Sequence, residues 1–188
     1  MDEGIYHLVK NMKDLKTTFE EAIRCRDDIC YFIQKCVVDF KLDEHQMAYL
    51  KNLASGNDST YDEAVDDVQE LNLAFALWKM LVCPYISVVF MSKGSIKRNL
   101  LANRFREMFN GLKLFGLKFT RNLKNEISLS NNSTIFFGDY ESYECQLHGR
   151  SMSILILDDF KSFENKKEFM QCVFPAVRAF RNGQIIKA

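Results

Sequence analysis

Apolar residues over positions 5–53 recur every three or four residues, which is the spacing of amphipathic helices. One or two helices are predicted before residue 37, and Asp43 opens another with a capping sequence. The apolar positions that define these helices are Leu15, Phe19, Ala22, Ile23, Ile29, Phe32, Ile33, Cys36, Met47, Leu50 and Leu53. Turn-forming residues at 54–60 predict a loop, so residues 1–60 form a helical amino-terminal part.

Beyond this part the pattern switches between helix and strand. A helix is predicted over 61–82, acidic at its start and apolar at its end, and Pro84 terminates it. The run 85–91 is rich in β-branched and aromatic residues and predicts a strand. A basic helix with an apolar stripe is expected over 96–109.

The last third of the chain continues this alternation. Its predicted elements are a strand hairpin, a helix or loop, a buried strand, a helix and a final strand, at 126–129 with 134–137, 143–145, 152–157, 164–174 and 184–187. Strands that alternate with helices in this way form a mostly parallel sheet with helices on its faces. We therefore predict a single three-layer α/β domain over residues 1–188, with the α/β core at 61–188.

Composition supports a folded protein and excludes some classes of function. The 188 residues are 47% hydrophobic and 13% aromatic, which excludes a disordered regulator. Twenty-five basic residues balance 25 acidic ones, so no overall charge draws the protein to nucleic acid or to an anionic membrane. No apolar run approaches the ~20 residues of a membrane span, and the six cysteines contain no CxxC pair. We expect a soluble protein of a reducing, intracellular compartment.

The feature with the clearest chemical meaning is the pair Asp158 and Asp159, directly after the apolar run 152–157. Ligands of α/β folds bind at the carboxyl ends of parallel strands, where nucleoside triphosphatases manage magnesium and the attacking water. The usual companion, a glycine-rich loop that ends in Gly-Lys-Ser/Thr, is absent from the sequence. The alternative interpretation is structural, with the pair capping the next helix and placing negative charge in its first turn.

Several short motifs follow one another in a recognisable order. They are Asp28-Ile-Cys-Tyr-Phe-Ile33, Phe40-Lys-Leu-Asp-Glu-His-Gln46, Ile86-Ser-Val-Val-Phe-Met-Ser-Lys-Gly94, Asn131-Asn-Ser-Thr-Ile135, Leu147-His-Gly-Arg-Ser151 and Ile154-Leu-Ile-Leu-Asp-Asp159. In this order and spacing they resemble the amino-terminal ATPase domain of the large terminase subunit, the motor that pumps DNA into the heads of tailed bacteriophages. The resemblance covers most of residues 28–187 and implies a P-loop-NTPase-like fold.

The resemblance also implies roles for individual residues. Asp158 stands at the magnesium-binding position of the Walker B strand, and Asp159 stands where the family has the glutamate that activates water. Because Asp is one methylene shorter than Glu, its carboxylate would fall short of that water. Gln46 matches the glutamine that meets the adenine edge, with an exposed polar helix position as the alternative. His148 stands where an arginine is expected.

The phosphate-binding half of the family's site has no counterpart here. Counting back from Trp78 places residues 66–72 near the phosphate loop, yet no lysine or arginine occurs between Lys51 and Lys79. The acidic residues Asp62, Glu63, Asp66, Asp67 and Glu70 stand there instead. Each like-charge contact costs on the order of 1 kcal/mol, and the lysine that steadies phosphoryl transfer is missing. We interpret nucleotide hydrolysis as lost and expect no cofactor.

A basic stretch offers a second kind of site. The residues of this basic patch are Lys93, Lys97, Arg98, Arg104 and Arg106, and further basic and aromatic residues continue to Lys124. Such a patch could face DNA or an acidic protein. The alternative is a solvated helix face, which the zero net charge favours because DNA affinity depends on neutralising many phosphates.

These observations predict a degenerate, non-hydrolysing terminase-like protein of phage origin, in the cytoplasm of the infected cell. It would act by binding a protein, either a packaging component or a host factor. One alternative is an ATPase subunit or fragment of a packaging motor that uses Mg-ATP, and another is a nucleic-acid-binding domain. The family's nuclease domain has no counterpart in the 188 residues, so DNA cleavage is not expected.

Overall fold

Helices build the amino-terminal part of the chain, as the apolar spacing predicts. The computed structural model describes residues 18–37, 41–60, 65–110, 112 and 116–188, so Leu15 lies outside it. The first helices are α1 (residues 18–27), α2 (Ile29–Cys36) and α3 (Glu44–Ala54). The Asp28 carboxylate caps α2 by accepting hydrogen bonds from two backbone N–H groups. Asp43 and Gln46 form a reciprocal capping box at the start of α3.

The described residues form a seven-stranded sheet with the order β1-β7-β6-β2-β5-β4-β3. The strands are β1 (Ser59–Thr60), β2 (Ser87–Ser92), β3 (Phe119–Asn122), β4 (Glu126–Leu129), β5 (Thr134–Asp139), β6 (Ile154–Leu157) and β7 (Gln184–Lys187). The five strands from β1 to β5 in this order pair in parallel, and β4 and β3 add an antiparallel hairpin. The predicted mostly parallel sheet is confirmed.

Helices cover both faces of this sheet. The remaining helices are α4 (Val68–Val82), α5 (Ser95–Asn110), α6 (Tyr143–Leu147) and α7 (Lys166–Arg178). Side chains alternate along β2, so that Val88 and Phe90 join one hydrophobic cluster while Val89 and Met91 join the other. The first cluster packs α2 to α5 on one face, and the second packs α6 and α7 on the opposite face. The architecture is therefore the predicted three-layer α/β domain.

The central helix α4 begins later than the sequence pattern predicts. It starts at Val68, not at residue 61, and its residues 71–78 are all buried between the sheet and the other helices. Asp67 precedes it with a left-handed backbone, φ 54°, which does not continue a right-handed helix. The acidic residues Asp66 and Asp67 therefore lie in a turn ahead of the helix, while 61–64 lie outside the described residues.

Two strands of the sheet are not predicted from the sequence. β1 lies inside the predicted loop 54–60 and pairs in parallel with Ile186 and Lys187 of β7. A two-residue strand carries no periodicity, and its partner lies far along the chain, so local sequence cannot indicate it. β3 is an edge strand whose last three residues are exposed, so it lacks the alternation of a half-buried strand. The segment predicted as a loop thus contributes an edge strand to the sheet.

Candidate functional site

The carboxyl ends of five parallel strands lie at one edge of the sheet. The order in which the chain adds strands reverses between β6 and β2. β6 and β2 are neighbours, but β6 leads through α7 to β7 on one side, while β2 leads through α5 towards β5 on the other. The two helices lie on opposite faces of the sheet. Open α/β sheets bind ligands in the crevice at such a reversal. This edge is therefore the candidate ligand site.

A cleft of about 460 Å³ lies at this edge. Residues from the turn before α4, the start of α5 and the segment after β6 line it, namely Val65, Asp66, Asp67, Val68, Gln69, Lys97, Asp158, Asp159, Lys161 and Ala188. Four of these side chains are carboxylates and two are lysines. An excess of carboxylates opposes the binding of a polyphosphate.

Asp158 is held rigidly at the end of β6. All four residues of β6 are buried, and the Asp158 side chain is itself only 6% exposed. Its backbone N–H donates to the carbonyl of Met91 at 2.9 Å, which extends the pairing of β6 with β2. The Tyr140 hydroxyl donates to its carbonyl at 3.0 Å. The sequence therefore correctly predicts that the strand ends at Leu157 and that Asp158 follows it directly.

The Asp158 carboxylate is already engaged by two nitrogen donors. The Nζ of Lys97, in the first turn of α5, lies 2.7 Å from its Oδ2. The Nε2 of Gln69, in the first turn of α4, donates to the same oxygen at 2.9 Å. Three segments that are distant in the sequence thus meet at one buried carboxylate. Its negative charge is offset by Lys97 within the protein.

The turn before α4 lies at the amino-terminal end of a buried helix. Asp66 and Asp67 form this turn, and Val68 and Gln69 are the first two residues of α4. Asp67 has a left-handed φ of 54°, a conformation that glycine adopts without steric cost. The turn and the first residues of the helix therefore carry acidic, apolar and neutral side chains.

The side chains around Asp158 do not fit a magnesium ion as they are arranged. Magnesium takes oxygen ligands in octahedral geometry, and in P-loop enzymes a Ser/Thr hydroxyl and a strand-end Asp supply two of them. Here the second residue of α4 presents an amide nitrogen, and Lys97 places an ammonium group beside the carboxylate. Among the described residues, no group of three His, Cys, Asp or Glu side chains is arranged to hold a metal ion.

Asp159 is separated from Asp158 in orientation and in partners. It is exposed, has a left-handed φ of 54°, and its carboxylate accepts a hydrogen bond from the Ser162 hydroxyl at 2.9 Å. A short 3-10 turn, Phe160–Ser162, follows it. Asp159 is the N-cap residue of this 3-10 turn, although its side chain makes no capping hydrogen bond to a backbone N–H group, and α7 begins later, at Lys166 after Asn165.

Gln46 lies beside the site but turns both ends of its amide to the protein. The side chain is buried, its Oε1 accepts from the Asp43 N–H at 3.1 Å, and its Nε2 donates to the Asp66 carbonyl at 3.2 Å. It therefore joins the start of α3 to the turn that lines the cleft. An exposed helix position, the alternative considered for Gln46, is excluded, and contact with adenine stays a prediction.

The basic patch is divided among separate intramolecular contacts. Arg98 pairs with Asp139 at the end of β5, Arg104 pairs with Glu70 and Glu107, and Lys97 pairs with Asp158. Arg106 donates to Asn122 and to the carbonyls of Leu123 and Lys124. Lys93 lies exposed in the turn after β2. Four of the five cations therefore have different partners within the molecule.

The pair of Arg98 and Asp139 is largely buried. Burial alone would raise the pKa of Asp139, but hydrogen bonds from Ser142 and Gln146 and the nearby Arg98 guanidinium together lower it below its ordinary value. The Arg98 side chain is only 11% exposed. This ion pair fixes the first turn of α5 against the end of β5.

Two contacts in the site are not predicted from the sequence. Gln69 has no recognised motif around it, and Lys97 is identified only as a member of the basic patch. The available signal is positional, since both residues lie in the first turn of a helix at the carboxyl edge.

His148 is exposed at the end of α6. The neighbouring Arg150 stacks on Phe136 and pairs with Glu126.

The described residues have a three-layer, P-loop-NTPase-like fold that is similar to the fold of large terminase ATPase domains. The crystal structure of the HK97 bacteriophage large terminase matches 86% of this chain with a TM-score of 0.71 and 18% identity, and the chain spans 37% of that protein. The large terminase ATPase domain of Thermus phage P74-26 matches 83% with a TM-score of 0.59 and 14% identity, and the chain spans 67% of it. An arginine-to-alanine mutant of the same domain matches with a TM-score of 0.58 and 13% identity over 83% of this chain and 68% of the mutant.

No protein-family model and no curated protein sequence matches the chain. At 13–18% identity the structural likeness establishes the fold. In the described part of the chain, no helix combines the length and apolar character needed to cross a bilayer.

Proposed function

We propose that this protein is a non-hydrolysing, terminase-like phage protein that acts by binding another protein, either a component of the DNA-packaging machinery or a host factor. The observation that carries this proposal is the contact between Lys97 and Asp158, 2.7 Å from Nζ to Oδ2. The positive charge of Lys97 offsets the negative charge of the Asp158 carboxylate, as a bound magnesium ion would otherwise do.

The phosphate side of the cleft supports the same conclusion. A P-loop enzyme holds phosphates with backbone N–H groups, a helix N-terminus and one lysine. In this chain Asp66, Asp67 and Val68 line the cleft at the start of α4, and none of them is basic. Carboxylates at the start of α4 repel the phosphates that a helix N-terminus would otherwise attract.

The distribution of basic side chains favours a protein partner over DNA. Four of the five residues of the basic patch are bound to carboxylates, an amide or carbonyl groups within the molecule. DNA affinity grows with the number of phosphates that free cations neutralise. The zero net charge adds no attraction.

Thermal melting with and without Mg-ATP tests the nucleotide part of the proposal. A ligand at a hundred times its dissociation constant stabilises the folded state by about 2.7 kcal/mol. We expect no shift at millimolar Mg-ATP and no phosphate release above that of a Lys97→Ala, Asp158→Asn control. A shift together with phosphate release would replace this proposal by the packaging-motor ATPase.

The interaction part is tested separately in phage-infected cells. A tagged chain is crosslinked in the cell, and its partners are identified by mass spectrometry against cells that express the tag alone. We expect a defined protein partner. Recovery of duplex DNA alone, with binding that weakens steeply as salt rises, would favour the nucleic-acid-binding alternative.

A further inference from the structure

An apolar groove runs along the exposed side of α7, next to the 3-10 turn that follows Asp159. Phe160, Met170, Phe174 and Pro175 supply its apolar walls, and Lys166, Lys167 and Gln171 complete its lining. Phe174 is 45% exposed although it is a large aromatic residue in the middle of a helix. The opposite side of α7 is fully packed, with Phe169, Val173 and Val177 buried against the sheet. The groove is thus an apolar surface beyond what packing of the helix requires.

Both charged residues that line the groove are lysines, Lys166 and Lys167. The Nζ of Lys187 lies 5.8 Å from the Phe160 ring centroid. Arg178 lies 5.0 Å from the Phe174 ring centroid, but it is paired with Asp58. Lys166 donates to a backbone carbonyl, which leaves its positive charge in place. Among the described residues, no carboxylate lines this groove. The surface therefore combines an apolar floor with a cationic rim.

We infer that this groove binds an acidic amphipathic segment of a partner protein, with apolar side chains on the floor and carboxylates facing the lysines. Amphipathic helices bind apolar grooves through side chains spaced at i, i+3, i+4 and i+7. Complementary charge at the rim steers the encounter and selects the partner. The inference rests on the proposed interaction role and names the chemistry of the partner.

The packing of α7 favours a protein segment over an anionic membrane. An interfacial helix buries its whole apolar face in lipid, whereas the apolar face of α7 formed by Phe169, Val173 and Val177 is already packed on the sheet.

Binding of a labelled peptide tests this inference on the whole chain. The probe is a fluorescein-labelled helical peptide with Leu and Phe on one face and Glu elsewhere, and its scrambled sequence is the peptide control. We expect saturable anisotropy with the amphipathic peptide, weakened by salt, and none with the scrambled one. Lys167→Glu should weaken binding roughly three- to tenfold, and Phe174→Ser about tenfold or more.

Matched changes at the far edge of the sheet serve as controls. Leu123 is 49% exposed and Lys124 is exposed, both on the β3–β4 hairpin, so Leu123→Ser and Lys124→Glu should leave the affinity unchanged. Equal loss in both sets of variants would overturn the inference. So would binding to anionic phosphatidylserine vesicles in place of the peptide, or groove-dependent self-association of the chain in sedimentation.

The outcome is separable from that of the proposed function. If the peptide fails to bind while a protein partner is crosslinked in cells, the groove assignment is wrong and the interaction role stands. If the peptide binds and Mg-ATP both stabilises the protein and is hydrolysed to release phosphate, the groove stands and the non-hydrolysing role is wrong.

Discussion

The Nζ of Lys97 lies 2.7 Å from the Oδ2 of Asp158 and so joins the first turn of α5 to the end of β6. Gln69 from the first turn of α4 donates to the same oxygen. The three residues that meet here belong to three different strand–helix connections. Open α/β sheets bind ligands at this edge. Here the carboxylate at that edge already makes contacts within the protein.

Replacing Lys97 by Met should destabilise the fold by about 1–3 kcal/mol, because it leaves a buried carboxylate with one neutral donor. The loss lies below that of a fully buried pair because the Lys97 side chain is 38% exposed. Urea unfolding, followed through the fluorescence of the single tryptophan, Trp78, measures it.

A second substitution distinguishes charge from shape. In Lys97→Met, Asp158→Asn the buried group is neutral and can still accept from Gln69, so part of the lost stability should return. Lys93→Met, an exposed change in the preceding turn, should have almost no effect. An additive double variant would show that Lys97 and Asp158 do not interact.

Replacing Gln46 by Ala should destabilise the protein by about 1–2 kcal/mol. It removes the capping box of α3 and leaves the Asp66 carbonyl without its side-chain donor. The same unfolding measurement applies, with the exposed Gln34→Ala on α2 as the control. Equal stability of the two variants would contradict the structural role of Gln46.

Tyr49 should set part of the alkaline limit of stability. Burial raises the pKa of Tyr49 to about 12 despite hydrogen bonds with Asn72 and Ser59, which lower it. Because the folded value lies above the ordinary value of about 10, the stability from this group is complete below pH ~10 and is lost as pH rises towards 12.

The variant Tyr49→Phe tests this dependence. At neutral pH it should cost about 1–2 kcal/mol, because the buried Asn72 Oδ1 loses its donor. That difference from the unmodified protein should shrink above pH ~10, where the tyrosine itself becomes unfavourable. Tyr85→Phe, at a position that is 73% exposed, is the control. A difference that is constant from pH 7 to 11 would contradict the assignment.

Arg98 and Asp139 should determine part of the acid limit. The pKa of Asp139 is lowered in the fold, so its contribution is complete above the unfolded value of about 3.9 and is lost as pH falls through the folded value. Arg98→Gln should cost about 2–4 kcal/mol at neutral pH, and the cost should diminish below pH ~4 as Asp139 is protonated. Acid titration of unfolding free energy measures this, and the exposed Arg121→Gln should be nearly neutral.

Local patterns predicted the elements whose residues carry the signal themselves. Strand β6 is four buried aliphatic residues, and β2 is rich in β-branched and aromatic side chains, so both are readable from the sequence. β1 depends on β7 for its existence, and β3 is an exposed edge, so neither has a local pattern. The start of α4 was misplaced because helical spacing does not reveal the left-handed residue Asp67.

The sequence by itself determined most of the alternation of strands and helices, the carboxylate that follows β6, and the absence of lysine and arginine between Lys51 and Lys79. Those properties depend on residue type and spacing. Only the tertiary structure decided what the carboxylate contacts, because Gln69, Lys97 and Asp158 are brought together by strand order and not by neighbouring positions. The same long-range packing divided the basic patch among internal partners and left the groove on α7 open.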